Sequence, residues 1–74
     1  MSDGLPSLSG QQVIAALERT GFQHVRTKGS HAKMRHSDRA RTAIVPLHKE
    51  LAKGTLRSVL RQAGLSVEEL RELL

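Results

Sequence analysis

The sequence predicts an α+β fold in the order α-β-β-β-α-α, a three-stranded antiparallel meander with helices packed on one side. Two observations carry this. Ser9-Gly10-Gln11-Gln12 and Ser66-Val67-Glu68-Glu69 are capping boxes, each opening a stretch with apolar residues at helical spacing. Between them, residues 22–45 alternate with the two-residue period of strands and are interrupted by two turn signals, Gly29-Ser30 and Ser37-Asp38-Arg39-Ala40.

In order, residues 1–8 contain Gly4 and Pro6 and are expected to form a loose terminus, leaving residues 9–74 as a single domain. The first helix begins at the Ser9 box, buries Val13, Ile14, Ala16, Leu17 and Thr20, and stops at Gly21. The first strand runs from Phe22 to Lys28, with Phe22 on the wrong parity and expected to fold under the first helix ahead of the regular strand. Gly29-Ser30 suits a type II′ hairpin turn leading into a second strand, His31 to His36. The third strand, Arg41 to Val45, is ended by Pro46. Leu47 to Gly54 is read as a connection, and Thr55 as the cap of a second helix with the stripe Leu56, Val59, Leu60 and Ala63, closed by Gly64. The last helix carries Val67, Leu70, Leu73 and Leu74 on one side, facing either the core or a partner.

If Val25, Ala32, Met34 and Ile44 face the helices, then His24, Arg26, Lys28, His31, Lys33, Arg35 and Arg41 share the opposite face. Register decides this assignment, because a slip of one residue exchanges the faces.

Length and composition narrow the function. A chain of 74 residues supports one small core, stabilised only marginally without a staple or partner. With no cysteine, disulfides and thiolate metal sites are excluded. The longest apolar run, Val13 to Leu17, is far short of the roughly 20 residues that span a bilayer. Residues 1–4 lack the cationic start of a signal peptide, so a cytoplasmic location without membrane attachment is expected.

The net charge of +5 is unevenly spread: residues 19–61 carry eleven Lys and Arg against Asp38 and Glu50, and all four histidines lie there too. A polyanion is the natural partner of such a surface, although a merely solvated face has the same composition.

Within this region Lys28-Gly29-Ser30-His31-Ala32-Lys33-Met34-Arg35-His36 places a histidine directly after a tight turn and among cations. An imidazole there could take the proton of an RNA 2′-hydroxyl while Lys28, Lys33 or Arg35 hold phosphate oxygens, which needs no metal. The alternative is a surface histidine in a binding face. His24 is read as a cross-strand neighbour on the open face, His36 as a structural group on the core parity, and His48 as a residue that makes a hydrogen bond within its loop, with RNA contact or acid/base chemistry as the alternative. Separations of seven, five and twelve residues between the histidines match no compact zinc pattern, and no metal or other cofactor is expected. Arg57 and Arg61 either extend the cationic surface or form a solvated helix face. Phe22 is the sole aromatic, so base stacking on aromatic rings is nearly absent and recognition through backbone and shape is expected. A helix-turn-helix reading of the last two helices puts Glu68, Glu69 and Glu72 against DNA, so direct DNA binding is not expected.

The segments Lys28-Gly29-Ser30-His31, Val45-Pro46-Leu47-His48-Lys49-Glu50-Leu51 and Lys53 to Leu65 together resemble the HicA toxin family, in order, from about Leu5 to the C-terminus. The turn Ser37-Asp38-Arg39-Ala40 departs from the commoner Pro-Asp-Gly form, and Met34 occupies a core-facing position more often aromatic or aliphatic. The resemblance implies a double-stranded-RNA-binding-domain-like fold and a metal-independent endoribonuclease, an mRNA interferase. It also implies His31 as the catalytic residue and a HicB-like antitoxin that covers the site. Arg26, Lys28, Gly29, Ser30, Lys33 and Arg35 are then the expected RNA-binding set, with His24 and His48 secondary. The competing reading is a non-catalytic RNA-binding module using the same basic face.

Overall fold

The structure is a computed structural model and describes residues 4–38 and 40–74. Its elements are α1 (Gly10–Glu18), β1 (Phe22–Lys28), β2 (His31–His36), β3 (Arg41–Pro46), α2 (Lys53–Ala63) and α3 (Val67–Glu72). The strands form one antiparallel sheet in the order β1-β2-β3, and the helices cover one face of it, as expected.

Local chemistry accounts for most boundaries. The Ser9 box is complete: Gln12 N–H donates to Ser9 Oγ at 3.1 Å and Ser9 N–H to Gln12 Oε1 at 2.8 Å. Ser66 and Glu69 repeat the arrangement at 3.0 and 2.8 Å, so α3 forms although it has only six residues. Gly64 closes α2 in the left-handed conformation at φ 75°. The second helix starts earlier than expected. Leu56 N–H already donates to the Ala52 carbonyl at 2.9 Å, so Ala52 is the N-cap, without a side-chain bond, and Thr55 lies inside the helix.

The core gathers Val13, Ala16 and Leu17 of α1, Phe22, Met34, Ala43 and Val45 of the sheet, and Leu56, Val59, Leu60, Ala63 and Leu70 of the last two helices. Burial of each large apolar side chain contributes about 1.5–3 kcal/mol. From Gly4 onward the segment expected to be loose is packed: Leu5 and Leu8 are in the core, Leu51 N–H donates to the Leu8 carbonyl at 2.8 Å, and the Arg71 guanidinium holds the Gly4 carbonyl at 2.6 Å. The other part of that expectation, residues 1–3, lies outside the described residues. Leu70 is buried and Val67 and Leu73 pack against the core, so α3 covers the core rather than standing free.

Four sheet positions, Ile44, Arg41, Val25 and His24, differ from the expected faces. In β3, Ala43 and Val45 are buried opposite Met34 and Ala32, whereas Ile44 is opposite Lys33 and exposed. Small Ala43 leaves room for α2, which packs mainly on β3. Arg41 is opposite His36 on the helix side, where its guanidinium donates to the Gln62 carbonyl at 3.4 Å, a favourable place for a cation at a helix C-terminus.

In β1 the register slips between His24 and Arg26: His24 pairs with Met34, but Arg26 pairs with Lys33, leaving Val25 as an extra residue in a β-bulge. Phe22 is therefore a regular member of β1, buried opposite His36, and Val25 is exposed rather than facing the helices.

Candidate functional site

The bulge at Val25 decides which cations meet the histidine. Directly opposed residues of an antiparallel pair project to the same face. With unbroken pairing from His24–Met34, Arg26 would fall opposite Ala32 on the helix side. The extra residue moves Arg26 opposite Lys33 and Lys28 opposite His31, so all four share the outer face. His24 is left behind on the other side.

At the turn, Gly29 has φ 60° and Ser30 keeps a negative φ, the pattern of a type II′ turn that only glycine enters readily at its first position. Lys28 and His31 are the pair closing this turn, and both are exposed. The Ser30 carbonyl accepts from Leu47 N–H at 2.7 Å, which fastens the turn to the chain leaving β3. That chain is held from its other side as well, because Gly10 N–H donates to the His48 carbonyl at 2.9 Å.

Arg26, Lys28, His31, Lys33 and Ile44 line a shallow concavity of about 400 Å³ on the outer face. None of the three strands contains an acidic residue, so no carboxylate in the sheet neutralises these cations. Anionic ligands are drawn to such a surface, and an exposed imidazole with cations on the same face can exchange a proton with a bound anion while its charge is held.

Of the expected site residues, Arg26, Lys28, His31 and Lys33 come together, with Gly29 and Ser30 forming the turn beside them. Arg35 is on the same face but further along β2, opposite Gln23 and Thr42, and does not line the concavity. His24 does not join the site. It lies on the helix side, where its Nε2 is hydrogen-bonded with Thr27 Oγ1 at 2.7 Å and it borders a depression with Gln11, Ile14 and Glu18 of α1. His48 is exposed in the loop after β3 and is not among the residues lining the concavity.

His36 is buried, as its parity suggested. Its Nε2 lies 2.9 Å from the Thr20 carbonyl and must carry the hydrogen, since a carbonyl only accepts. Its ring meets Phe22 edge-on at 5.2 Å between centroids. Ile44 is the lining residue that the sequence did not reveal, because an isoleucine between Ala43 and Val45 reads as core whichever way the strand faces. Among the described residues no three His, Asp or Glu side chains are grouped so as to hold a metal ion, and no helix is long and apolar enough to cross a membrane.

A family model for the HicA toxin of bacterial toxin–antitoxin systems matches residues 10–65, which is most of the chain. The chain belongs to the HicA toxin family. As a HicA toxin it is the toxic member of a toxin–antitoxin pair, and the match takes in the Gly29-Ser30 turn, His31 and all the strands. No curated protein sequence matches the chain.

Proposed function

We propose that this HicA toxin is a metal-independent endoribonuclease that cleaves mRNA, with His31 as its catalytic residue. The observation that carries the reading is that His31 is the one histidine on the cationic outer face of the sheet, opposite Lys28 and in one concavity with Arg26 and Lys33. RNA brings its own nucleophile. The His31 imidazole accepts the proton of the 2′-hydroxyl, a bond forms between O2′ and phosphorus, and the bond from phosphorus to O5′ breaks. Arg26, Lys28 and Lys33 balance the charge that grows on the phosphoryl oxygens. The departing O5′ takes a proton from water or from the imidazolium, leaving a 2′,3′-cyclic phosphate and a 5′-hydroxyl. Arg35, Gly29 and Ser30 complete the RNA-binding set. In this reading the protein works in the cytoplasm, and a HicB-like antitoxin silences it by covering the same cations.

The test is incubation of RNA with the purified wild type and His31→Ala in the presence of a chelator. Cleavage by the wild type with cyclic phosphate ends, and none by the variant, is expected. Intact RNA that is nevertheless bound in a salt-sensitive way would leave only a binding module.

A further inference from the structure

Ile44 is out of place on structural grounds alone. It is 39% exposed on a face otherwise lined by Arg26, Lys28, His31 and Lys33, while its neighbours Ala43 and Val45 are fully buried. Its position is well defined. Ile44 is opposite Lys33 in the sheet, and its N–H, on the outer edge of β3, donates to Gln62 Oε1 at 2.8 Å; Gln62 is in turn held by Ser58 Oγ at 3.2 Å. His31 is opposite Pro46, which makes Ile44 its diagonal neighbour, and residues in such a pair are about 7–8 Å apart, within reach of long side chains. The concavity thus has an apolar floor at one end and a histidine with its lysine at the other.

We infer that Ile44 forms a nucleobase subsite, seating the apolar face of the base next to the phosphodiester that lies at His31. This rests on the reading of the outer face as an RNA site and adds where the base goes. A nucleotide strand presents an apolar ring face flanked on either side by phosphates, and this surface presents an apolar side chain flanked by cations. One isoleucine is far too little apolar area to anchor a protein partner, whose interfaces bury on the order of 800 Å² per side. It is enough for one ring. Because an aliphatic side chain makes no directed hydrogen bond, the subsite accepts any base by contact rather than by edge pattern, consistent with a chain whose only aromatic, Phe22, is buried in the core.

The experiment measures binding, so it is independent of cleavage. Two 2′-O-methyl oligonucleotides of equal length, one with bases and one with an abasic backbone, are titrated against the wild type, Ile44→Thr and Lys33→Gln. Threonine keeps the β-branch that suits the strand and removes apolar surface. The wild type is expected to prefer the base-bearing strand, and Ile44→Thr to reduce that preference about 4- to 15-fold, the factor that one to two lost methylene contacts represent. The abasic strand should bind Ile44→Thr and wild type alike, and Lys33→Gln should weaken both strands equally. An unchanged base preference in Ile44→Thr overturns the subsite, as does failure of the wild type to distinguish the two strands. Absence of cleavage of ordinary RNA by the wild type would instead overturn the endoribonuclease reading while leaving the binding ratio intact.

Discussion

His31 and His36 stand at the two ends of one strand and on opposite faces of the sheet, the first exposed beside Lys28 and the second buried against Phe22. Their replacement by alanine should therefore separate chemistry from stability. His31→Ala removes the proton acceptor and should lower RNA cleavage by about 10²- to 10⁴-fold. As an exposed substitution it should move the unfolding free energy by no more than about 0.5 kcal/mol. His36→Ala deletes a buried ring and its bond to the Thr20 carbonyl, and should cost about 2–4 kcal/mol in urea unfolding. Cleavage per folded molecule should be unchanged. The reverse pattern would mean that the faces of β2 have been exchanged.

Much of this arrangement was legible in the sequence. Both capping boxes, the Gly29-Ser30 turn and the Leu56, Val59, Leu60 and Ala63 stripe are local patterns, and local patterns fix elements and their order. The faces were harder, because they depend on pairing between strands. The bulge at Val25 left one trace, the parity of Phe22: with strict alternation a buried Phe22 and an outward Arg26 are incompatible, and one inserted residue reconciles them. Strict alternation without that residue puts His24 on the open face, whereas the bulge leaves it opposite Met34 on the helix side. Periodicity does not mark Leu5 and Leu8, because burial of an irregular segment follows from what holds it, here Leu51 and Arg71.

The start of α2 offers a stability test. Ala52 has the extended backbone of an N-cap, φ −60° and ψ 148°, and no side-chain acceptor. Ala52→Ser should supply the missing bond and add about 1 kcal/mol of stability, read as a shift of the urea midpoint. Thr55→Ala should be nearly neutral, since Thr55 caps nothing. A large loss in Thr55→Ala would put the helix start back at residue 55.

Ala40, in the turn between β2 and β3, has φ 51°, a left-handed conformation that an L side chain enters at a cost of roughly 1–2 kcal/mol. Glycine adopts it freely but loses more conformational entropy on folding, by about 0.4–1 kcal/mol. The first effect is larger. Ala40→Gly should raise stability by about 0.5–1 kcal/mol, whereas Ala40→Val should lower it, both measured by thermal unfolding.

The cationic sheet face and the exposed arginines of α2 predict different salt dependence. Each cation that releases a counterion from single-stranded RNA contributes about 0.7 to the slope of log affinity against log salt. Lys33→Gln should flatten the slope by about that amount, measured with a non-cleavable RNA. Arg61→Gln, on α2, should leave the slope unchanged. Equal slopes in the wild type and Lys33→Gln would remove the sheet face as the RNA surface.

Gly10, the first residue of α1, is on the far side of the sheet from the concavity, yet it is coupled to the turn before His31. A Cβ at Gly10 would lie 2.1 Å from the Pro46 carbonyl oxygen and 3.0 Å from Leu47 Cα, so the chain leaving β3 would have to move. Leu47 is the residue whose N–H holds the Ser30 carbonyl, and Ser30 immediately precedes His31. Helix propensity alone favours Gly10→Ala by up to about 1 kcal/mol. Backbone overlap works against it by typically 1–3 kcal/mol, because neither Pro46 nor Leu47 can yield by a side-chain rotation. Overlap should win: Gly10→Ala is expected to lower the urea midpoint and, at temperatures where it remains folded, to reduce cleavage as well. A gain in stability would show that the loop relaxes without strain, and unimpaired cleavage in a destabilised Gly10→Ala would show that the tie from Leu47 to Ser30 does not position His31.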